Sequence, residues 1–135
     1  MKRYATTALS VLAIGLSTPA MAAFDGSEPL ICATLEVHAC EVEGACWEEH
    51  VESVDAPQFL RVSVQEKKVS GIRPSGAKVD ANIDLINHAS KRMFLQGVAG
   101  DRSWSVVIDE TSGHMSGTVS DDQDAYIIFG ACTPR

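Results

Sequence analysis

The amino-acid sequence predicts an all-β protein, an antiparallel β-meander curled into a small barrel or half-barrel and stapled by two disulfides. Three observations carry that prediction. Apolar residues recur with a period of two from residue 59 onward, turn-forming residues separate these runs at meander-like intervals, and four cysteines follow an N-terminal export signal. With 135 residues, 45% of them hydrophobic and 21% charged, the chain supplies one core and one domain. No run of about 18 apolar residues occurs, so no membrane-spanning helix is expected.

The N-terminus places Lys2 and Arg3 before the apolar run Ala8 to Leu16, then Pro19 and Ala20-Met21-Ala22. A basic start, a short apolar centre and a small-residue cleavage pattern define a bacterial secretory signal peptide over residues 1–22, cut after Ala22. A lipoprotein signal does not fit, because Glu28-Pro29-Leu30-Ile31 precede Cys32 with no small residue beside the cysteine. The expected mature chain is a single β domain over residues 23–135, periplasmic or secreted.

Residues 28–40 read two ways. Ile31, Ala33, Leu35, Val37 and Ala39 alternate as a strand, while Leu30, Ile31, Thr34, Leu35 and His38 also fit a helix face capped by Ser27. The β-branched Ile31, Thr34 and Val37 favour the strand. On that reading Cys32 and Cys40 share a face with Glu36 and His38, opposite the apolar one. Residues 46–59 read as an irregular strand and loop, ending at Asp55-Ala56-Pro57, where proline disfavours helix at the preceding residue.

Beyond this point the alternation is clear. Leu60, Val62 and Val64 form one run; Val79, Ala81, Ile83 and Leu85 a second; Met93 and Leu95 a third; Trp104, Val106 and Ile108 a fourth. Each alternates with mostly polar residues, the pattern of an antiparallel sheet wet on one side. Turn signals fall at Gly71 to Gly76, Asn87 to Ser90, Gly100-Asp101, Thr111-Ser112-Gly113 and Ser120-Asp121-Asp122. Gly113 is expected in the left-handed conformation of a hairpin loop. The last run, Ala125 to Cys132, is apolar on both faces and reads as an inner strand or one covered on both sides. Seven or eight short strands result, calycin-like at most.

Four cysteines allow three pairings, and spacing alone does not choose among them. The favoured set joins Cys40 to Cys46 across a tight loop and Cys32 to Cys132 across the whole domain. His38, Cys40, Cys46 and His50 form a competing metal-ligand reading, with His38 and His50 as the weak candidates; the spacing matches no zinc signature. Without Cys-x-x-Cys there is no basis for thioredoxin-type redox chemistry.

Removing residues 1–22 takes away Lys2 and Arg3 and no acid, which moves the formal charge from −7 to −9. Asp25, Glu28, Glu36, Glu41, Glu43, Glu48, Glu49, Glu52 and Asp55 occupy residues 25–55 with no Lys or Arg between them. A nucleic-acid partner is therefore not expected, since phosphate recognition needs clustered cations. The acidic segment suits a cationic protein partner instead.

Catalytic signals are thin. Gly113-His114-Met115-Ser116-Gly117 has its glycines and serine misplaced for a nucleophile elbow, and His88 falls in a turn. Asp109-Glu110 and Asp121-Asp122-Gln123-Asp124 supply adjacent carboxylates at turns, usable in principle for acid–base work or calcium, but without the Gly and terminal Glu of an EF-hand loop. No phosphate-binding glycine loop exists, so no nucleotide cofactor is expected. Trp104 and Tyr126 are candidate ligand-facing residues if the meander encloses a cavity.

Several segments taken together, Leu30-Ile31-Cys32-Ala33, Cys40 to Cys46, Pro57 to Val62, Leu95-Gln96-Gly97, Trp104 to Asp109 and Phe129-Gly130-Ala131-Cys132-Thr133-Pro134, resemble small uncharacterised exported proteins of proteobacteria. The resemblance spans nearly the whole mature chain. It implies the fold and the four-cysteine framework and no catalytic residue. The expectation is a non-enzymatic binding or accessory protein whose partner is a protein or a small apolar ligand. Metal binding through His38, His50 and neighbouring Cys or acidic residues is the first alternative, and hydrolysis of an unknown substrate the second.

Overall fold

The computed structural model describes residues 24–135. The signal peptide and its cleavage site lie outside the described residues. Ten strands follow one another with no helix among the described residues: β1 (Leu30–Glu41), β2 (Cys46–Glu49), β3 (Phe59–Ser63), β4 (Lys68–Ile72), β5 (Lys78–Asn82), β6 (Leu85–Ala89), β7 (Arg92–Ala99), β8 (Arg102–Asp109), β9 (His114–Ser120) and β10 (Asp124–Pro134). The sequence reading found fewer strands because it ran β5 into β6 and left β2 irregular.

The sheet runs β5-β4-β3-β1-β10-β9-β8-β7-β6, every neighbour antiparallel, with β2 on β1. Two local meanders, β3 to β5 and β6 to β10, are joined by β1, which pairs with β10 along one edge. Its other edge is divided: Leu30 to Ala33 pair with β3, and Val37 to Cys40 pair with β2. The two ends of the path, β5 and β6, are consecutive in the chain and separated by Ile83 and Asp84, so the sheet curls back on itself into a half-barrel. At this junction Asn82 approaches Gly97 of β7 so closely that a Cβ on Gly97 would lie 2.3 Å from the Asn82 carbonyl oxygen. Glycine is required there for the chain to pass.

The concave face holds the core. Leu30, Cys32, Met93, Leu95 and Ile108 are fully buried, with Val62, Val69, Ile83, Met115 and Cys132 around them. The alternation of β3, β5, β7 and β8 points inward as expected, and it slips at two places. Along β1, Thr34 pairs with Gly130 and Glu36 with Phe129, so Leu35 is an extra residue, a β-bulge, and is 69% exposed. Leu30, Cys32 and Thr34 face inward before it, and Val37 and Ala39 after it. The expected common face of Cys32, Cys40, Glu36 and His38 is therefore wrong: Cys32 is in the core, and the other three lie on the convex side. The bulge sits where β3 hands the edge of β1 to β2. There the Thr34 amide donates to Gln58 O (2.9 Å) and the Thr34 hydroxyl to Pro57 O (2.9 Å). The second slip follows Ile83: Ile86 turns inward and Leu85 is half exposed, because the chain changes partner from β4 to β7.

Other turns divide the same way. Gly113 adopts φ 74°, as expected. Asn87 and His88 belong to β6 rather than to a turn, which instead uses Ser90 (φ 54°) and Lys91 (φ 58°). The final strand is an inner one, between β1 and β9, but its convex face is not covered among the described residues: Ile127 and Phe129 are 37% and 43% exposed.

Both favoured disulfides are present. Cys32–Cys132 bridges directly opposite residues of β1 and β10, and Cys40–Cys46 does the same for β1 and β2. On the chain-entropy model, a bridge spanning 100 residues contributes about 4 to 5 kcal/mol and one spanning 6 residues about 2 kcal/mol. In urea unfolding, Cys32→Ser/Cys132→Ser is therefore expected to cost about twice what Cys40→Ser/Cys46→Ser costs. Deleting Leu35 removes the extra residue and leaves Thr34, Val37 and Ala39 inward in plain alternation, with Glu36 still opposite Phe129, so circular dichroism should show the same β fold, and Leu35→Ala should stay within about 0.5 kcal/mol. A deletion that abolished the fold would show that the bulge is needed to bend β1 and does more than restore its face.

Candidate functional site

The curl leaves space at one end of the concave face. A cavity of about 170 Å³ opens there, with Leu60, Val62, Val69, Ala81, Leu95, Val106, Met115 and Ile128 among its deeper lining. Inward positions along a single strand show how it is graded. In β8 these are Arg102, Trp104, Val106 and Ile108, about 7 Å apart in succession, passing from the lip to the sealed core. Tyr126 and Ile128 of β10, with Val119 and Gly117 of β9, repeat the gradient beside it. Small inward residues make room for the indole. Gly97 pairs with Trp104, and a Cβ there would lie 2.6 Å from Trp104 Cζ2.

The opposite lip comes from the loop between β2 and β3, through Val54, Ala56 and Pro57, and from Arg73 in the β4–β5 turn. This loop folds on itself, with Ala56 N donating to Val51 O and Ser53 N to His50 O. It is then clamped to the turn. The Asp55 carboxylate accepts from Ser75 N (2.9 Å) and Ser75 Oγ (2.8 Å), and Arg73 Nη1 donates to Asp55 O (2.9 Å). Across the mouth, Asp121 accepts from Asp124 N (2.8 Å), Gln123 N (2.9 Å) and Arg102 Nε (3.0 Å), and the Arg102 guanidinium lies 5.5 Å from the centroid of the Tyr126 ring.

Both anchoring carboxyls are held below their ordinary value of 3.8. For Asp55 the main cause is the backbone and hydroxyl donation from Ser75. For Asp121 it is the amides of Asp124 and Gln123, followed by the charge of Arg102.

Trp104 and Tyr126, the candidate ligand-facing residues, both line this cavity. Trp104 Nε1 is buried and has no hydrogen-bond partner among the described residues. The arginines were not singled out from the sequence. Arg102 was legible in principle, since it lies in phase with Trp104, Val106 and Ile108, whereas Arg73 carries no local signal.

The remaining candidates lie elsewhere. His38 contacts Glu36 Oε1 (2.5 Å) on the convex face and packs edge-on to Phe129 at 6.2 Å. His50 follows β2, and all four cysteines are bridged. Among the described residues no three His, Cys, Asp or Glu side chains gather as a metal group. The thiolate form of the metal reading thus has no thiolate.

His88 Nδ1 is 2.6 Å from Glu110 Oε1, and the Asp109 carboxylate caps its turn through Thr111 N, Ser112 N and Ser112 Oγ. Among the described hydrogen bonds no serine hydroxyl reaches an imidazole, so the hydrolase reading has no nucleophile–base pair to build on. Two larger but shallow depressions, of about 530 and 440 Å³, lie on the convex side around Phe59 with Ile72 and around His114 with Phe129. Both are open to solvent and lack an enclosing wall.

A carboxyl with a lowered folded-state pKa contributes stability above its unfolded value, and that contribution is lost as pH falls through the folded value. The clamps at Asp55 and Asp121 should therefore be intact at neutral pH and fail only below about pH 4. Limited proteolysis at residues 50–58 and 121–124 is expected to be flat down to about pH 5 and to rise below about pH 4. Asp55→Asn and Asp121→Asn should flatten that rise at their own segments; an unchanged rise in both variants would place the acid-labile groups elsewhere.

No family model, curated protein or solved structure matches this chain.

Proposed function

We propose that this chain is a non-enzymatic binding protein of the periplasm or extracellular space, which takes a small apolar ligand into the concave cavity between Trp104, Tyr126 and the β2–β3 loop. One observation carries the reading: an apolar cavity of about 170 Å³ in a domain this small. An engineered apolar cavity of about 150 Å³ is large enough to take benzene. The lining supports the same conclusion, being mainly aliphatic and aromatic with few polar groups, the composition of a ligand pocket. Two disulfides support an oxidising compartment, and no helix among the described residues is long and apolar enough to cross a membrane.

The test uses neutral probes. In a Trp47→Phe background Trp104 is the remaining tryptophan of the two, so its emission reports on the cavity. Benzene and octanol should shift that emission and raise Tm with concentration, as any ligand specific to the folded state does. Val106→Phe, which fills the space, should remove both responses while circular dichroism shows the same β fold. Emission and Tm that ignore both probes up to millimolar concentration would mean that the cavity is not a binding site.

A further inference from the structure

The charges at the cavity mouth run against the balance of the chain. Acidic residues outnumber basic ones 18 to 11, and the acids are concentrated in residues 25–55. Yet the charged residues that line the cavity are Arg73 and Arg102, with no carboxylate among the lining. The two are not equivalent. Arg102 is engaged by Asp121 and laid over Tyr126. Arg73 is half buried, donates Nη1 to a backbone carbonyl and forms no ion pair among the described residues. The carboxylate nearest to it in the chain of contacts, Asp55, spends its oxygens on Ser75. A guanidinium in this position has donors left over, and partial burial strengthens any bond it makes to an anion. Deeper in the same cavity, the Trp104 indole N–H also lacks an acceptor.

We propose that the ligand is an organic monoanion. Its apolar part has the size of one aromatic ring or a chain of about six to eight carbons and lies between Trp104 and Val106. Its carboxylate stays at the mouth, where Arg73 binds it. This inference rests on the apolar-ligand reading and adds the headgroup. It also accounts for the position of the arginines: at the lip their charge remains partly hydrated, whereas at the depth of Val106 it would be costly to bury. The acidic exterior does not conflict with an anionic ligand, because exposed charges more than about 8 Å apart are largely screened at physiological ionic strength.

Octanoate, octanol and octylammonium share a tail and differ in headgroup, so titrating each against Trp104 emission in the Trp47→Phe protein separates the two claims. Octanoate should bind at least about tenfold more tightly than octanol, and octylammonium more weakly than either. Arg73→Gln should cost octanoate about tenfold and leave octanol unchanged, the octanol value also confirming that the cavity is intact. Arg73→Lys should recover part of the octanoate affinity. Equal affinities for octanoate and octanol, tighter binding of octylammonium, or an octanoate affinity indifferent to Arg73→Gln would each overturn the anionic headgroup while leaving the apolar site standing. Failure of all three to bind would remove the apolar site as well.

Discussion

The pairing of β1 with β10 is the constraint on which the rest of the structure depends. Each meander, β3 to β5 and β6 to β10, forms from hairpins closed over a few residues, and such local pairing costs little loop entropy. What joins them is one long strand near the start of the described residues, laid against the last strand of the domain. Bringing these ends together closes a loop of 100 residues, and the buried Cys32–Cys132 bridge makes that closure permanent. The sulfurs also belong to the core, where Leu30, Met93, Leu95 and Ile108 surround them. Covalent closure and apolar packing thus act at the same point of the sheet.

The cavity follows from how the sheet bends around that seam. The Leu35 bulge turns β1 where its edge passes from β3 to β2, and the Ile83-Asp84 junction turns the far side where β5 becomes β6. Bulges and partner switches increase local coiling and draw the sheet into a trough. A trough built from short strands cannot be filled equally along its length. One end is sealed by Ile108, Met93 and Leu30, and the other narrows to small residues, Gly97, Ala99, Gly117 and Ala56, against a single indole. The pocket is the unfilled end of the core.

Charge is distributed unevenly over the molecule. Acidic side chains crowd the β1–β2 hairpin, the rest of the convex face mixes both signs through pairs such as Arg61–Glu66 and Lys68–Asp80, and the mouth of the concave side carries Arg73 and Arg102 with their charge only partly met. The segments that hold these arginines are fixed by carboxylates spent on backbone amides and hydroxyls, an economical way to build a rigid rim without a larger core. The same use of acids accounts for carboxylates at two turns. Asp109 caps its turn through three donors to Oδ1, and Asp121 caps its own through two donors to Oδ1 while Oδ2 accepts from Arg102.

The sequence by itself determined the class of fold, the inward phase of β3, β5, β7 and β8, with Trp104 among those inward residues, and the left-handed Gly113. Each of these is fixed by neighbours two residues away or by one residue's own conformational preference, and a period-two pattern records both. It did not determine the faces of Cys32 and Leu85, the break between β5 and β6, or the convergence of Arg73 and Arg102. Those depend on where a strand changes partner and on which distant loops meet across the trough. A bulge leaves the composition of a strand unchanged while reversing the side on which every later residue falls. Only the closed sheet, with β1 set against β10, decides which way those side chains point.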